Sequence, residues 1–99
     1  MDRVRQLADL LNSMRKYWVY AIINENKNKI YIGQTSNLDR RLKQHNQEIN
    51  NLSKYTKNIS GKWKLFYREE LESRKEVMKR EKQLKSYQGR LFLKHLLPL

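Results

Sequence analysis

Ninety-nine residues supply one domain's worth of chain with no length for a second core, so the reading is a single compact unit over residues 1–99. Only 38% of the residues are hydrophobic and 32% are charged, which calls for a small core under a heavily solvated surface, while ten aromatics argue against disorder. Twenty-two Lys and Arg against ten Asp and Glu leave a formal charge of +12, which points to a polyanionic partner. The absence of cysteine excludes disulfide frameworks, Cys-type zinc cages and thiol nucleophiles.

From Asp2 to Lys16, Val4, Leu7, Ala8, Leu11 and Met14 recur at helical spacing and predict an N-terminal amphipathic helix over 1–16. Tyr17 to Ile23 is β-branched and aromatic and predicts a strand. A polar Asn/Lys connection over 24–28 leads to a return strand, Lys29-Ile30-Tyr31-Ile32-Gly33, which completes a hairpin. A second helix opens at Thr35-Ser36-Asn37-Leu38-Asp39, with Ser36 as the expected cap, Asp39 three residues on, and an apolar stripe of Leu38, Leu42 and Ile49. Residues 50–62 read as a loop, Trp63 to Arg68 as a strand, and Glu72 to Tyr87 as a helix with Val77, Leu84 and Tyr87 inward and Gly89 as its stop signal. Residues 88–99 read as an apolar tail that packs on the body, leaving 17–87 as the core. The order is too short for several crossover units and predicts a small α+β fold built on a mainly antiparallel sheet.

Polar residues inside apolar stripes are the informative exceptions, because burying one without a partner costs on the order of 1 to 3 kcal/mol. His45 falls between Leu38 and Leu42 on the second helix, and Arg41 projects beside it one turn earlier. Glu81, four residues after Val77 and three before Leu84, sets a carboxylate in the inward face of the third helix. Tyr20 shares a strand face with Trp18 and Ile22, and Tyr31 lies opposite to Ile30 and Ile32. Gly33 permits a close approach of backbone or phosphate, or simply makes a turn. Each residue alone has a structural explanation: a packing tyrosine, a solvated arginine, a satisfied core histidine, a glutamate paired with Arg80 or Lys85. Together they would need several such explanations in one small domain.

Trp18-Val19-Tyr20, the eleven-residue step to Tyr31 in Tyr31-Ile32-Gly33, Arg41 with His45, and Arg80-Glu81-Lys82-Gln83-Leu84-Lys85 resemble the GIY-YIG endonuclease superfamily, in its compact single-domain bacterial branch. The resemblance covers about residues 17–87, including the Lys54-Tyr55-Thr56 stretch before Trp63. It implies a three-stranded antiparallel sheet flanked by helices and a phosphodiesterase site around one divalent cation, Mg²⁺ or Mn²⁺. Carried over, Glu81 is the metal ligand, Arg41 the phosphate clamp and Tyr20 the base or water-positioning group, supported by Tyr31 and His45.

The residue types suit that chemistry independently. Mg²⁺ is often held by one or two carboxylates plus substrate phosphates, so a single Glu81 is enough, and a guanidinium binds phosphate oxygens bidentately as lysine cannot. Tyrosine is a poor base at its reference pKa of about 10, so Tyr20 needs a charge or hydrogen-bond chain to serve. Two departures stand out. Trp18 occupies the leading glycine position of the first triplet, and the asparagine that homing-type members carry beyond the glutamate helix has no counterpart in Arg90-Leu91-Phe92-Leu93-Lys94-His95.

Arg40, Lys43, Lys54, Lys57, Lys82 and Lys85 are candidate phosphate contacts, although each basic run alone is explained by a solvated face. Tyr55 and Trp63 are candidates for stacking on unpaired bases, with packing under the loop as the alternative. The sequence thus predicts a soluble, cytoplasmic, metal-dependent DNA endonuclease, structure-selective and linked to repair or recombination, with a protein partner for target selection. The alternative is a non-catalytic nucleic-acid-binding module on the same scaffold. A third reading makes the N-terminal helix a partner-binding or membrane-surface element, against which its short mixed-charge polar face argues.

Overall fold

The computed structural model describes residues 16–46 and 62–97. The helix expected over 1–16 and the loop expected over 50–62 therefore lie outside the described residues except for Lys16 and Lys62, as do Ile49 and the candidate contacts Lys54, Tyr55 and Lys57. Within that range the chain forms β1 (Tyr17–Asn24), β2 (Lys29–Thr35), α1 (Leu38–His45), β3 (Trp63–Leu71), α2 (Arg74–Lys85) and α3 (Tyr87–Leu96). The strands make one antiparallel sheet in the order β2-β1-β3, so the expected α+β class and sheet are present.

The apolar, β-branched run of β1 occupies the centre of the sheet, where both faces are covered. Its alternation divides the core in two. Tyr20 and Ile22 point to one side with Trp63, against which Tyr31, Leu38, Leu42 and Leu65 pack. Val19 and Ala21 point to the other with Ile32, Val77, Leu84 and Leu93. Thus α1 covers one face and α2 with α3 the other. Full burial of Val77, Leu84 and Leu93 contributes roughly 1.5–3 kcal/mol each to holding the second layer. The hairpin between β1 and β2 closes with Asn24 paired to Lys29. Asn28 takes a left-handed φ of 52°, a conformation that asparagine tolerates better than most residues. Between β1 and β3 the register slips at Ala21/Ile22, a bulge that leaves Ala21 opposite Tyr67 and Ile22 opposite Leu65.

Three sequence expectations need correction. β2 runs through Gly33 to Thr35, so the turn into α1 is only two residues long and the cap is Asn37 instead of Ser36, its side chain accepting from the Arg40 N–H at 3.1 Å. Asp39 then sits in the first turn of α1, where it favours the helix dipole, and does not close a box with Ser36. The third correction concerns the C-terminal end. The helix expected to reach Tyr87 stops at Lys85, and residues 87–96 form a further helix where a tail was expected. Ser86 serves both helices: its N–H bonds to the Gln83 carbonyl, ending α2, and its hydroxyl accepts from the Gly89 N–H at 3.2 Å, starting α3. The break resets the helical phase, which is why Tyr87 is 74% exposed while Leu93 is buried. No helix among the described residues is long and apolar enough to cross a membrane.

Gly89 is therefore not a stop but the contact point of a sharp corner. A Cβ there would lie 2.3 Å from the Gln83 carbonyl oxygen and 2.5 Å from both Cα and O of Leu84, all backbone atoms that cannot swing aside. Helix propensity alone would favour Gly89→Ala by about 1 kcal/mol. We expect the opposite sign, a loss of about 2 kcal/mol or more in chemical denaturation, because the corner must open.

Candidate active site

Tyr20 stands directly across the hairpin from Gly33. A Cβ at Gly33 would meet the Tyr20 hydroxyl oxygen at 2.7 Å, Tyr20 Cζ at 2.9 Å and Tyr31 Cε1 at 2.9 Å. What approaches the glycine is thus the Tyr20 phenol, lying over its Cα, while the strand itself continues. From that position the Tyr20 hydroxyl reaches His45 Nε2 at 2.7 Å, in a buried hydrogen bond between β1 and the last turn of α1. Tyr31 completes the cluster, its ring centroid 4.8 Å from that of His45 and 6.3 Å from that of Tyr20.

Arg41 lies one turn before His45, half-buried, and bonds through Nη1 to the buried Gln44 side chain at 3.1 Å. Burial disfavours its charge, but hydrogen bonding and charge interactions with the Tyr20 and Tyr31 hydroxyls outweigh that and raise its pKa. The same contacts act in reverse on Tyr20. Burial raises its pKa strongly, and the opposing effect of Arg41 only partly offsets this, while Tyr31 and the Glu81 carboxylate add to the rise. For His45, burial and then the Arg41 charge push the imidazole down to about 4, so it is neutral at neutral pH.

Glu81 lies on α2, its side chain 20% exposed and its Oε1 3.2 Å from Lys85 Nζ. Its charge acts on Tyr20. Among the described residues no group of three or more His, Cys, Asp or Glu gathers at one point. A single carboxylate, carried by α2 and reaching Tyr20 only through its charge, suits a hard cation that keeps its waters and takes phosphate oxygens, and it does not suit a zinc cage. The sequence candidates Tyr20, Tyr31, Arg41 and His45 are thus in mutual contact, with Glu81 in electrostatic range. Arg40 and Lys43 are exposed on α1, where Lys43 pairs with Asp39 at 3.6 Å. Lys82 is exposed on α2 and lines a groove between α2 and α3 with Lys79, Gln83 and Phe92. Trp63, at 2% exposed, is core and does not present a stacking surface.

A comparison with family models assigns residues 16–93 to the GIY-YIG catalytic domain. The chain belongs to the GIY-YIG family. That places it among nuclease-type domains, whose substrates are nucleic acids. No curated protein and no solved structure matches the chain.

Two positions in this GIY-YIG domain escaped sequence reasoning. Asn46 accepts from the Trp63 N–H at 2.7 Å and donates to the Trp63 carbonyl at 3.0 Å, so one side chain mimics a strand neighbour and ties the end of α1 to the start of β3. An asparagine at a helix end reads simply as a cap, which hides this second use. On the opposite face Arg80 Nε bonds to Glu69 Oε2 at 2.9 Å, and the same oxygen accepts from the Tyr67 hydroxyl at 2.5 Å, fastening α2 to β3 one residue before Glu81.

Gly33→Ala is expected to displace the Tyr20 ring and break its bond to His45, lowering the melting temperature and any activity together. His45 also gives stability a pH signature. With a folded pKa near 4 and an unfolded value of 6.5, the unfolded chain binds the extra proton between those values. The stability associated with His45 is therefore present above pH 6.5 and lost as pH falls toward 4, at up to about 1.4 kcal/mol per pH unit. Denaturant titrations of wild type and His45→Gln across that range should show the slope in the first and its loss in the second.

Proposed function

We propose that the protein is a metal-dependent endonuclease that hydrolyses phosphodiester bonds in DNA. The observation that carries this reading is the 2.7 Å hydrogen bond between the Tyr20 hydroxyl and a neutral His45, with Arg41 beside them. A binding surface has no need of a proton acceptor buried behind a phenol, whereas hydrolysis must remove a proton from water.

In this reading Arg41 takes two non-bridging oxygens of the scissile phosphate in bidentate fashion. Attack begins when a water gives its proton to the Tyr20 oxygen as the Tyr20 hydroxyl proton passes to His45 Nε2. The free Tyr20 phenol has too high a pKa to be deprotonated by itself, so the relay through His45 is what makes it a base. His45 is a weak acceptor chiefly because it is buried and further because the Arg41 charge faces it. Phosphate on Arg41 neutralises the second of these effects and raises the affinity of His45 for the proton, so substrate arrival favours the relay. The resulting hydroxide forms the new P–O bond, the bond to the departing sugar oxygen breaks, and that oxygen takes a proton from solvent. Glu81 would hold Mg²⁺ or Mn²⁺, which when bound supplies positive charge to the phosphoryl and leaving oxygens. Lys85 holds the carboxylate until then, from a side chain that is itself half-exposed and can swing away into solvent.

Plasmid and branched DNA incubated with Mg²⁺, Mn²⁺ or EDTA should be cut by the wild type only with metal. Glu81→Gln and Tyr20→Phe are expected to lose on the order of 10² in rate or more while gel-shift affinity persists. Tyr20→Phe keeps the ring over Gly33 and loses only the hydroxyl's bond to His45, so its melting temperature should fall by less than that of Gly33→Ala. If neither wild type nor variant cuts any substrate and all bind with one salt slope, the protein is a binding module on a nuclease scaffold.

A further inference from the structure

Beside Tyr20 the same sheet face continues into a cleft of about 410 Å³ between α1 and the strands. Trp18, Leu65 and Arg68 line it from the sheet, and Leu38, Asp39 and Leu42 from α1. Leu38, Leu42 and Leu65 also pack against the Tyr20 cluster, so the cleft and the candidate active site share a wall. Trp18 is two residues from Tyr20 and on the same face, a step of about 7 Å along a strand, which one extended nucleotide spans. Arg68, directly across from Tyr20 on β3, is exposed and carries its guanidinium 5.6 Å from the centroid of the Trp18 ring. No carboxylate pairs with Arg68 among the described residues.

The lining decides what fits. Ser36, Asn37 and the Arg68 guanidinium can each meet a phosphate at the rim, but the three leucines and the indole that make up the rest of the wall offer it nothing. A nucleobase suits all of them: it has a flat face for the indole and guanidinium, apolar contact for the leucines, and amino groups for the carboxylate. A base still stacked in a duplex cannot enter a recess between a helix and a sheet, whereas an unpaired one can. The backbone carrying that base would continue toward Arg41 and Tyr20. The N-terminus of α1 adds no separate anion site, because the Asn37 side chain already accepts from the Arg40 N–H.

We propose that this cleft receives an unpaired nucleobase next to the scissile phosphate, with Trp18 and Arg68 as its stacking partners, so that the protein prefers single-stranded or flapped DNA over continuous duplex. The inference rests on the reading of Tyr20 as the group facing that phosphate. Trp18 fills the position where the family's motif begins with glycine, so the aromatic surface comes from this chain's own departure.

The test is equilibrium binding in EDTA, where no cleavage occurs, using a twelve-nucleotide oligodeoxycytidylate and a blunt duplex of the same length. With Trp63 buried, Trp18 is the indole whose fluorescence responds to a ligand. The single strand should quench wild-type emission, and Trp18→Leu should weaken its binding about tenfold or more while duplex affinity stays within about twofold. Trp18→Phe should recover most of the lost affinity. Arg68→Gln, an exposed change that leaves the core intact, should weaken the single strand several-fold, and it decides the matter if Trp18→Leu is unfolded. Equal losses for single strand and duplex, or no loss with either variant, overturn the proposal. Because binding is read without metal, failure of the wild type to cut DNA in Mg²⁺ would count against the nuclease reading alone.

Discussion

A phenol that must meet a histidine across a sheet face needs somewhere to lie, and in this fold it lies on Gly33. Any side chain at that position would contend with the Tyr20 ring and the Tyr31 edge at under 3 Å. With the Cβ missing, the ring settles against the strand, its hydroxyl is carried to His45, and α1 can close over both. The burial that results sets the electrostatics: it strips the proton from His45 and keeps it on Tyr20. The remaining features of the site adjust this one contact.

The sheet separates two jobs. On one face α1 brings Arg41 and His45 to the tyrosines. On the other, α2 and α3 bury Val77, Leu84 and Leu93 and carry Glu81, whose charge still acts on Tyr20. A carboxylate on a separate layer holds its position only as well as its helix does. The Arg80–Glu69–Tyr67 cluster supplies that hold next to it, and the Arg80 guanidinium and Tyr67 hydroxyl depress the pKa of Glu69 despite partial burial, keeping it ionised. Ser86 and Gly89 then fold α3 back sharply enough for Leu93 to reach the same core.

Much of this was legible in the residue pattern, and the reasons are physical. The unbroken apolar, mostly β-branched and aromatic run from Tyr17 to Ile23 marks a strand, and it has no polar alternation because both faces of β1 are covered. Arg41, His45 and Glu81 stand out because charge or polarity in an apolar stripe needs a partner. The pattern was misleading where local chemistry had two outcomes. Ser36 and Asn37 are both good caps, and only the length of β2 chooses between them. Gly89 carries the mark of a helix end, yet the end comes at Lys85 and the glycine is required by what crosses it. The paired bonds of Asn46 to Trp63 connect residues seventeen apart in sequence, and no periodicity encodes them.

Asn46 and Trp63, seventeen positions apart, are fastened to each other by one side chain at the end of α1, which both accepts from and donates to the backbone at the start of β3. His45 is the residue just before that clamp, so the hold on the Trp63 backbone is also what keeps the imidazole at a fixed height under the Tyr20 hydroxyl. The position of a proton acceptor is thus set by a backbone mimic on the neighbouring residue.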